Sequence, residues 1–105
     1  MRILNSQKKQ YKAIGHGLKP VVMVAENGLS EGVLKELERA LTDHELIKIK
    51  ISVEDRDEKK AIIEAICTQT SSILIQTIGK TALVFRPADK PNPKLSNILR
   101  NQGAL

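Results

Sequence analysis

Residues 21–51 have the sequence VVMVAENGLSEGVLKELERALTDHELIKIKI, and this stretch decides the fold. Its first segment, Val21–Val24, is a continuous apolar run of β-branched character, which predicts a buried strand with Pro20 at its first position. Its last segment, Leu46–Ile51, alternates apolar and charged side chains and predicts a strand with one solvent-exposed face. The stretch therefore predicts a strand, a loop, a helix and a second strand.

The helix of this unit is predicted over residues 31–44. Ser30 stands directly before it as a candidate N-cap, and Asn27-Gly28 forms a tight loop in which positive φ is tolerated. Apolar residues recur at spacings of three and four, so the helix is amphipathic and one face packs against the sheet. That face contains Val33, Leu34, Leu37, Ala40 and Leu41.

Two more helices flank this unit. Apolar and basic residues at helical spacing predict a short basic helix over residues 5–14, which Gly15 and Gly17 end. A third helix follows the charged stretch 54–60, carries a stripe of isoleucines and ends near Thr70.

Two closing strands are predicted at Ile73–Ile78 and Thr81–Arg86. Only Gly79-Lys80 separates them, and glycine at the first loop position matches a type II′ hairpin. The element order is α-β-α-β-α-β-β. We therefore predict an α/β (α+β) fold with one domain, in which three helices cover a mixed four-stranded sheet.

The composition changes after Pro87. The remaining residues are rich in proline, asparagine, lysine and serine, so we predict a flexible basic tail over 88–105 and place the folded domain at 1–87. With 105 residues, the chain has room for one core and little else.

The net charge is +5, with a pI near 9.5. Residues 1–20 contain five bases and no acid, and residues 71–105 contain five bases and one acid, whereas 21–45 contain two bases and six acids. If the fold brings the two basic ends together, one face is suited to a polyanion such as nucleic acid. The alternative is a set of scattered, solvated charges.

The sequence contains no recognisable catalytic or metal site. The histidines, His16 and His44, have no metal-ligand spacing with the single cysteine, Cys67, and no phosphate-binding glycine motif is present. His44 fits a helix C-terminus, where the dipole favours it. We expect no enzyme activity, cofactor, metal or small-molecule substrate. The lone cysteine and the absence of a signal or membrane-spanning segment predict a cytoplasmic protein, which we expect to be monomeric.

Several segments resemble the YhbY-like family, the CRM RNA-binding domain, and the resemblance covers residues 5–87. They are LKPVV at 18–22, NGLSEGV at 27–33, AL at 40–41, HELIKIK at 44–50, IGKTAL at 78–83 and FRP at 85–87. The resemblance implies a fold like the C-terminal domain of bacterial translation initiation factor three. It also implies association with ribosomal RNA and with precursors of the large ribosomal subunit.

The family has a GxxG loop between its first strand and second helix, and the matching positions here are Ala25, Glu26, Asn27 and Gly28. The first glycine of the motif is absent. Such a loop holds phosphates with backbone N–H groups and the positive end of the following helix, which requires small residues. Asn27 and Gly28 meet this requirement, whereas Glu26 places an acid where a phosphate would arrive. Without the resemblance, Asn27-Gly28 would be an ordinary turn.

Other basic residues could also reach phosphate. Lys19 precedes the first strand, Lys80 lies in the hairpin turn and Arg86 ends the last strand. Lys8 and Lys12 lie side by side on the first helix and form a second candidate surface. A third is formed by Lys48 and Lys50. Taken singly, each is more simply an exposed charge.

Together these features predict a protein without enzyme activity that docks structured RNA by contacting the RNA backbone. The family resemblance alone implies that this RNA is ribosomal and that docking occurs during assembly of the large subunit. The alternative is a protein-interaction adaptor, whose acidic second helix binds a basic partner such as a ribosomal protein.

Overall fold

The computed structural model describes residues 3–26 and 28–104. The helices are α1 (Asn5–His16), α2 (Glu31–His44) and α3 (Arg56–Thr70), and the strands are β1 (Pro20–Val24), β2 (Leu46–Ile51), β3 (Ile73–Ile78) and β4 (Thr81–Phe85). A 3₁₀ helix, Leu99–Ala104, follows the last strand. The predicted α-β-α-β-α-β-β order and single α+β domain are confirmed.

The four strands form one mixed sheet in the order β1-β2-β4-β3. β1 and β2 are parallel and are joined through α2, because a parallel pair needs a crossover connection. β2 pairs with β4, and β4 with β3, in antiparallel fashion. In the β3–β4 turn, Gly79 has a φ of 56° whereas Lys80 is not in the positive-φ region, which agrees with the predicted type II′ geometry.

The sheet separates two apolar clusters. The larger lies between the sheet and the helices α2 and α3, and it includes Leu37, Leu41 and the inward side of β2 formed by Ile47, Ile49 and Ile51. The smaller lies under α1 on the other side of the sheet; its members are Tyr11, Ile14, Leu46, Ile75, Leu83 and Phe85. The Tyr11 and Phe85 rings lie 4.7 Å apart.

α1 runs two residues further than predicted. Gly15 does not end the helix but lies within it, buried against the sheet, where a Cβ would collide with the Leu83 side chain. The helix ends at His16, and Gly17 follows as its C-cap.

β1 differs from the prediction of a buried strand. Val22 and Val24 are buried, but Val21 and Met23 are 51% and 59% exposed on the other face. The reason is topological: β1 is an edge strand, and α1 packs over β2 and β3 instead. A run of apolar residues cannot distinguish a central strand from an edge strand that has one open face.

The segment after Pro87 also differs from its prediction as a flexible tail. Ser96 and Asn97 are buried. The Asn97 side-chain amide donates a hydrogen bond to the Leu46 carbonyl at 2.7 Å, and its backbone N–H donates to the His44 carbonyl at 2.9 Å. Ile98 packs on the apolar cluster under α1. The composition of this segment is typical of disorder, but long-range partners in the domain hold it.

Candidate nucleic-acid interface

The β1–α2 loop lies at one end of the sheet. Ala25 and Glu26 are exposed, and Asn27, the third predicted loop residue, lies outside the described residues. The Gly28 N–H donates to the Ala25 carbonyl at 2.9 Å and closes a turn. Gly28 has a φ of 73° with open space where a Cβ would stand, so glycine is required for its backbone angle.

The loop leads directly into the N-terminus of α2. Ser30 is the N-cap, as predicted, and its hydroxyl accepts a hydrogen bond from the Val33 N–H at 3.2 Å. Glu31 and Gly32 in the first turn are exposed. Backbone N–H groups in the first turn of a helix have no partners within the helix and carry its positive dipole end, so an anion can approach them.

The hairpin turn lies at the same end of the sheet as the loop. The Ile51 N–H donates to the Lys80 carbonyl at 2.6 Å, and the Ser52 N–H donates to the Val24 carbonyl at 2.7 Å. These bonds join the hairpin turn, the end of β2 and the end of β1 in one place. Lys80 is therefore close to the loop, as a shared phosphate-binding surface requires.

Lys80 is engaged within the chain, since its Nζ lies 3.0 Å from Glu54 Oε1. Both side chains are more than half exposed. An ion pair of this kind contributes about 0–1 kcal/mol, so an incoming phosphate can compete with the Glu54 carboxylate for Lys80.

A row of open side chains extends from this end across the sheet. Met23 is the register partner of Lys50, Lys50 of Thr81, and Thr81 of Ile78. All four are on the side of the sheet that α1 covers only in part; Lys50 is exposed, and Met23 and Ile78 are each more than half exposed. Lys48 lies in the next row, opposite Leu83. We call this surface, formed by Met23, Lys48, Lys50, Ile78 and Thr81, the open face.

The open face was only partly found from the sequence. The alternation in β2 identified Lys48 and Lys50, but Met23 and Ile78 were missed because their exposure depends on the strand order and on which part of the sheet α1 covers. Side chains of a strand point alternately to its two faces, so residues 21 and 23 share one face. Because all four residues of 21–24 are apolar, the sequence does not show that this face is exposed.

α1 adds further lysines on the same side of the sheet. Lys8 and Lys12 are partly exposed, and within the described residues no carboxylate lies within ion-pair distance of either one. His16 at the end of α1 borders a small cleft together with Lys48 and Gln76. The predicted second and third candidate surfaces are therefore parts of one side of the sheet.

Arg86 does not belong to this surface. Its guanidinium donates to Glu38 Oε2 at 2.7 Å, to the Thr70 carbonyl at 3.0 Å and to the Thr42 hydroxyl at 3.1 Å, and its side chain is only 19% exposed. A guanidinium held in this way connects β4 to α2 and α3 and has few donors left for phosphate. We therefore remove it from the predicted RNA-binding residues.

Acidic side chains lie on the opposite side of the sheet. α2 carries four exposed or partly exposed carboxylates, and three of them pair within the chain: Glu31 with Lys35, Asp43 with Arg39 and Glu38 with Arg86. Of these three pairs, only Glu38–Arg86 is short and partly buried, and the other two are exposed and weak. In contrast, α1 and β2 contain five lysines and no acid.

Cys67 and His44, which could have been catalytic or metal-binding groups, contact other parts of the fold. Cys67 is partly buried, and desolvation raises the pKa of its thiol, against a smaller opposing effect of a hydrogen bond with Ser72. His44 contacts the Leu95 carbonyl through Nδ1 at 2.8 Å. Among the described residues, no three His, Cys, Asp or Glu side chains are grouped closely enough to hold a metal ion. No helix in the described ranges is both long and apolar enough to cross a membrane.

This arrangement of loop, helix and hairpin agrees with the result of a family comparison. The model of the CRS1/YhbY (CRM) domain matches residues 3–86. The chain belongs to the CRM domain family. The CRM match contains the loop, the open face and both lysine-bearing elements.

Curated relatives of this CRM protein extend over nearly its whole length. A protein of Pseudomonas aeruginosa, named a probable RNA-binding protein, is 58% identical over 103 residues, which are 98% of this chain and 99% of the relative. A Haemophilus influenzae protein named an RNA-binding protein is 45% identical over 96 residues, covering 90% of this chain and 97% of its own.

A solved structure has the same fold. The solution structure of a hypothetical Staphylococcus aureus protein, titled as a suggested RNA-binding protein, matches with a TM-score of 0.75 and 25% sequence identity. The match covers 90% of this chain and 98% of that chain.

Proposed function

We propose that this CRM protein is a non-enzymatic RNA-binding protein that docks structured ribosomal RNA through backbone phosphates during assembly of the large ribosomal subunit. The proposal of RNA binding in general is supported by the family and by the names of its relatives. The ribosomal part rests on the resemblance described above. We also propose the cytoplasm as its compartment, since its one cysteine has no disulfide partner in the chain.

The observation that carries the proposal is the separation of charge across the sheet. Lysines without a carboxylate partner in the described residues lie on α1 and β2, on the side of the sheet opposite α2 and α3, and the exposed N-terminus of α2 lies at the end of the sheet where β2 ends. A polyanion attracted to this side meets backbone N–H groups, mobile cations and an open sheet face, and few carboxylates. Such contacts position an RNA backbone without reading its base sequence, so modest sequence specificity is expected.

The test is a salt titration of binding to a fragment of large-subunit ribosomal RNA. Each phosphate neutralised by the protein contributes roughly 0.7–0.9 to the slope of log K against log salt. The double variant Lys19→Glu, Lys80→Glu should bind more weakly and with a smaller slope. Lys60→Glu is the matched control for each single reversal, Lys19→Glu and Lys80→Glu, because Lys60 is exposed on α3, on the opposite side of the sheet.

The outcomes separate RNA docking from the adaptor alternative. If the double variant binds RNA more weakly and the Lys60→Glu control does not, the result supports docking through the proposed side. Absence of RNA binding by the unmodified protein at low salt would overturn the proposal. The adaptor reading would then predict that a basic ribosomal protein binds α2 and that Glu36→Lys weakens this binding. The pairing of Glu38 with the partly buried Arg86 makes this one α2 carboxylate less available to such a partner.

A further inference from the structure

A second basic site lies at the other end of β1, about one strand length away from the loop. A groove there is bordered by Lys19, Lys48 and Arg100, with His44 beside them and Leu18 and Val21 in its apolar wall. Of the described residues that line the groove, none is acidic. Lys19 and Arg100 are exposed and Lys48 is partly exposed. Three cations with no carboxylate between them form a surface that attracts an anion.

Arg100 comes from the C-terminal segment, which is held in place by buried hydrogen bonds. The Ser96 hydroxyl donates to Glu45 Oε1 at 2.7 Å, and the Ala88 N–H donates to Glu45 Oε2 at 2.8 Å. The Ser96 and Asn97 side chains are buried, and Asn97 itself lines the groove. These bonds fix the start of the 3₁₀ helix that carries Arg100 at the entrance of the groove.

We infer that this groove is a second binding site for RNA backbone phosphate and that the C-terminal segment completes it by supplying Arg100. The guanidinium can donate two parallel hydrogen bonds to one phosphate, while Lys19 and Lys48 act as point charges. The inference rests on the proposed function, because the phosphate is taken to be that of the same bound RNA.

The spacing of the two sites defines the path of the RNA. Lys19 precedes β1 and Ala25 follows it, so the groove and the loop are separated by roughly 20 Å at about 3.3 Å per strand residue. Along β1, Val21 lines the groove and Met23 belongs to the open face, and both side chains are exposed. One RNA backbone can therefore reach both sites by running along β1.

The experiment compares Arg100→Ala with Lys60→Ala in the salt titration with the large-subunit RNA fragment. We expect Arg100→Ala to weaken binding about fivefold at moderate salt and to lower the salt slope by roughly 0.7–0.9, as the loss of one phosphate contact predicts. Lys60→Ala should change neither quantity. Since Arg100 is exposed, its truncation should leave the far-ultraviolet circular dichroism and the unfolding midpoint unchanged.

A double-mutant cycle tests whether the groove acts as one site. If Arg100 and Lys19 contact the same phosphate, the effects of Arg100→Ala and Lys19→Ala should not be additive. Normal affinity and slope for folded Arg100→Ala would overturn the groove inference, and weakening by Lys80→Glu in the same assay would show that RNA docking at the loop survives. If the unmodified protein does not bind the RNA, both proposals fail.

Discussion

The carboxylate of Glu45 accepts a hydrogen bond from the Ser96 hydroxyl at 2.7 Å, although the two residues are 51 positions apart. Glu45 is buried and has a φ of 61° with a ψ of −49°, a positive-φ conformation outside the left-handed helical region that is uncommon for a residue other than glycine. Its two carboxylate oxygens accept from different points of the C-terminal segment. Glu45 thus ends α2 and at the same time connects the C-terminal segment to the domain.

The first prediction concerns this connection. Glu45→Ala should lower the free energy of unfolding by about 2–3 kcal/mol, because it leaves buried donors without their acceptor. Ser96→Ala should cost about 1 kcal/mol, since it removes one donor and leaves Glu45 with the Ala88 N–H. Urea unfolding measures both. Hydrogen exchange should show protection of the Asn97 amide, which donates to the His44 carbonyl, in the unmodified protein. Free exchange there would contradict an attached C-terminal segment.

The second prediction separates stability from RNA binding at Arg86. Arg86→Ala should destabilise the fold by about 2 kcal/mol, because Glu38 and the Thr70 carbonyl lose a charged donor. Arg86→Lys should recover only part of this, since an ammonium cannot reproduce the fork of donors. Under conditions in which the variant remains folded, its salt slope for RNA should equal that of the unmodified protein. A smaller slope would return Arg86 to the phosphate-binding residues.

Local signals in the sequence were sufficient for most of the fold. The amphipathic pattern and the Ser30 cap predicted α2, the alternation of Leu46–Ile51 predicted β2, and Gly79-Lys80 predicted the hairpin. Each of these signals depends on residues that are close together in the sequence. The family resemblance agreed with the same order of elements.

The features that sequence reasoning missed depend on contacts between distant residues. The exposure of Met23 follows from the position of β1 at the sheet edge. The structural role of Arg86 follows from its hydrogen bond to Glu38, which is 48 residues away in the sequence. The attachment of the C-terminal segment depends on hydrogen bonds of the Glu45 carboxylate and the Asn97 amide to residues 43 to 51 positions away. Composition and periodicity contain no information about such pairs. The sequence could therefore propose candidate RNA-binding residues, but it could not separate those available to RNA from those engaged within the fold.

The third prediction is a loss of stability at alkaline pH. Desolvation raises the pKa of the Cys67 thiol above its usual 9.0, and desolvation together with the Glu45 charge raises the pKa of the Tyr11 phenol above its usual 10.0. Both groups ionise more readily in the unfolded chain, so their stabilising contribution is present below pH 9 and is lost as the pH rises through the folded pKa values.

Urea unfolding between pH 8 and pH 11 measures this loss. The double variant Cys67→Ala, Tyr11→Phe lacks both groups and should show a flatter profile, whatever its absolute stability. Labelling of Cys67 by a thiol reagent at pH 8 should be slower in the folded protein than in urea. Equal labelling rates in the two states would contradict a desolvated thiol.

The fourth prediction concerns the acid in the β1–α2 loop. Glu26 is exposed beside the N-terminus of α2, and it replaces the neutral residues that a phosphate-holding loop favours. A carboxylate there repels an incoming phosphate, so Glu26→Gln should strengthen RNA binding about three- to fivefold at low salt, equivalent to about 1 kcal/mol or slightly less. The gain should shrink as salt rises, because the repulsion is screened.

Glu36→Gln is the matched control for this variant. It removes the same charge from an exposed position on α2, on the opposite side of the sheet from the open face, so any effect of net charge alone appears in both variants. A gain confined to Glu26→Gln would show that phosphate passes close to the loop. Equal gains in both variants would mean that the RNA responds only to total charge, and the loop would then lose its place as a docking site while the open face and the groove kept theirs.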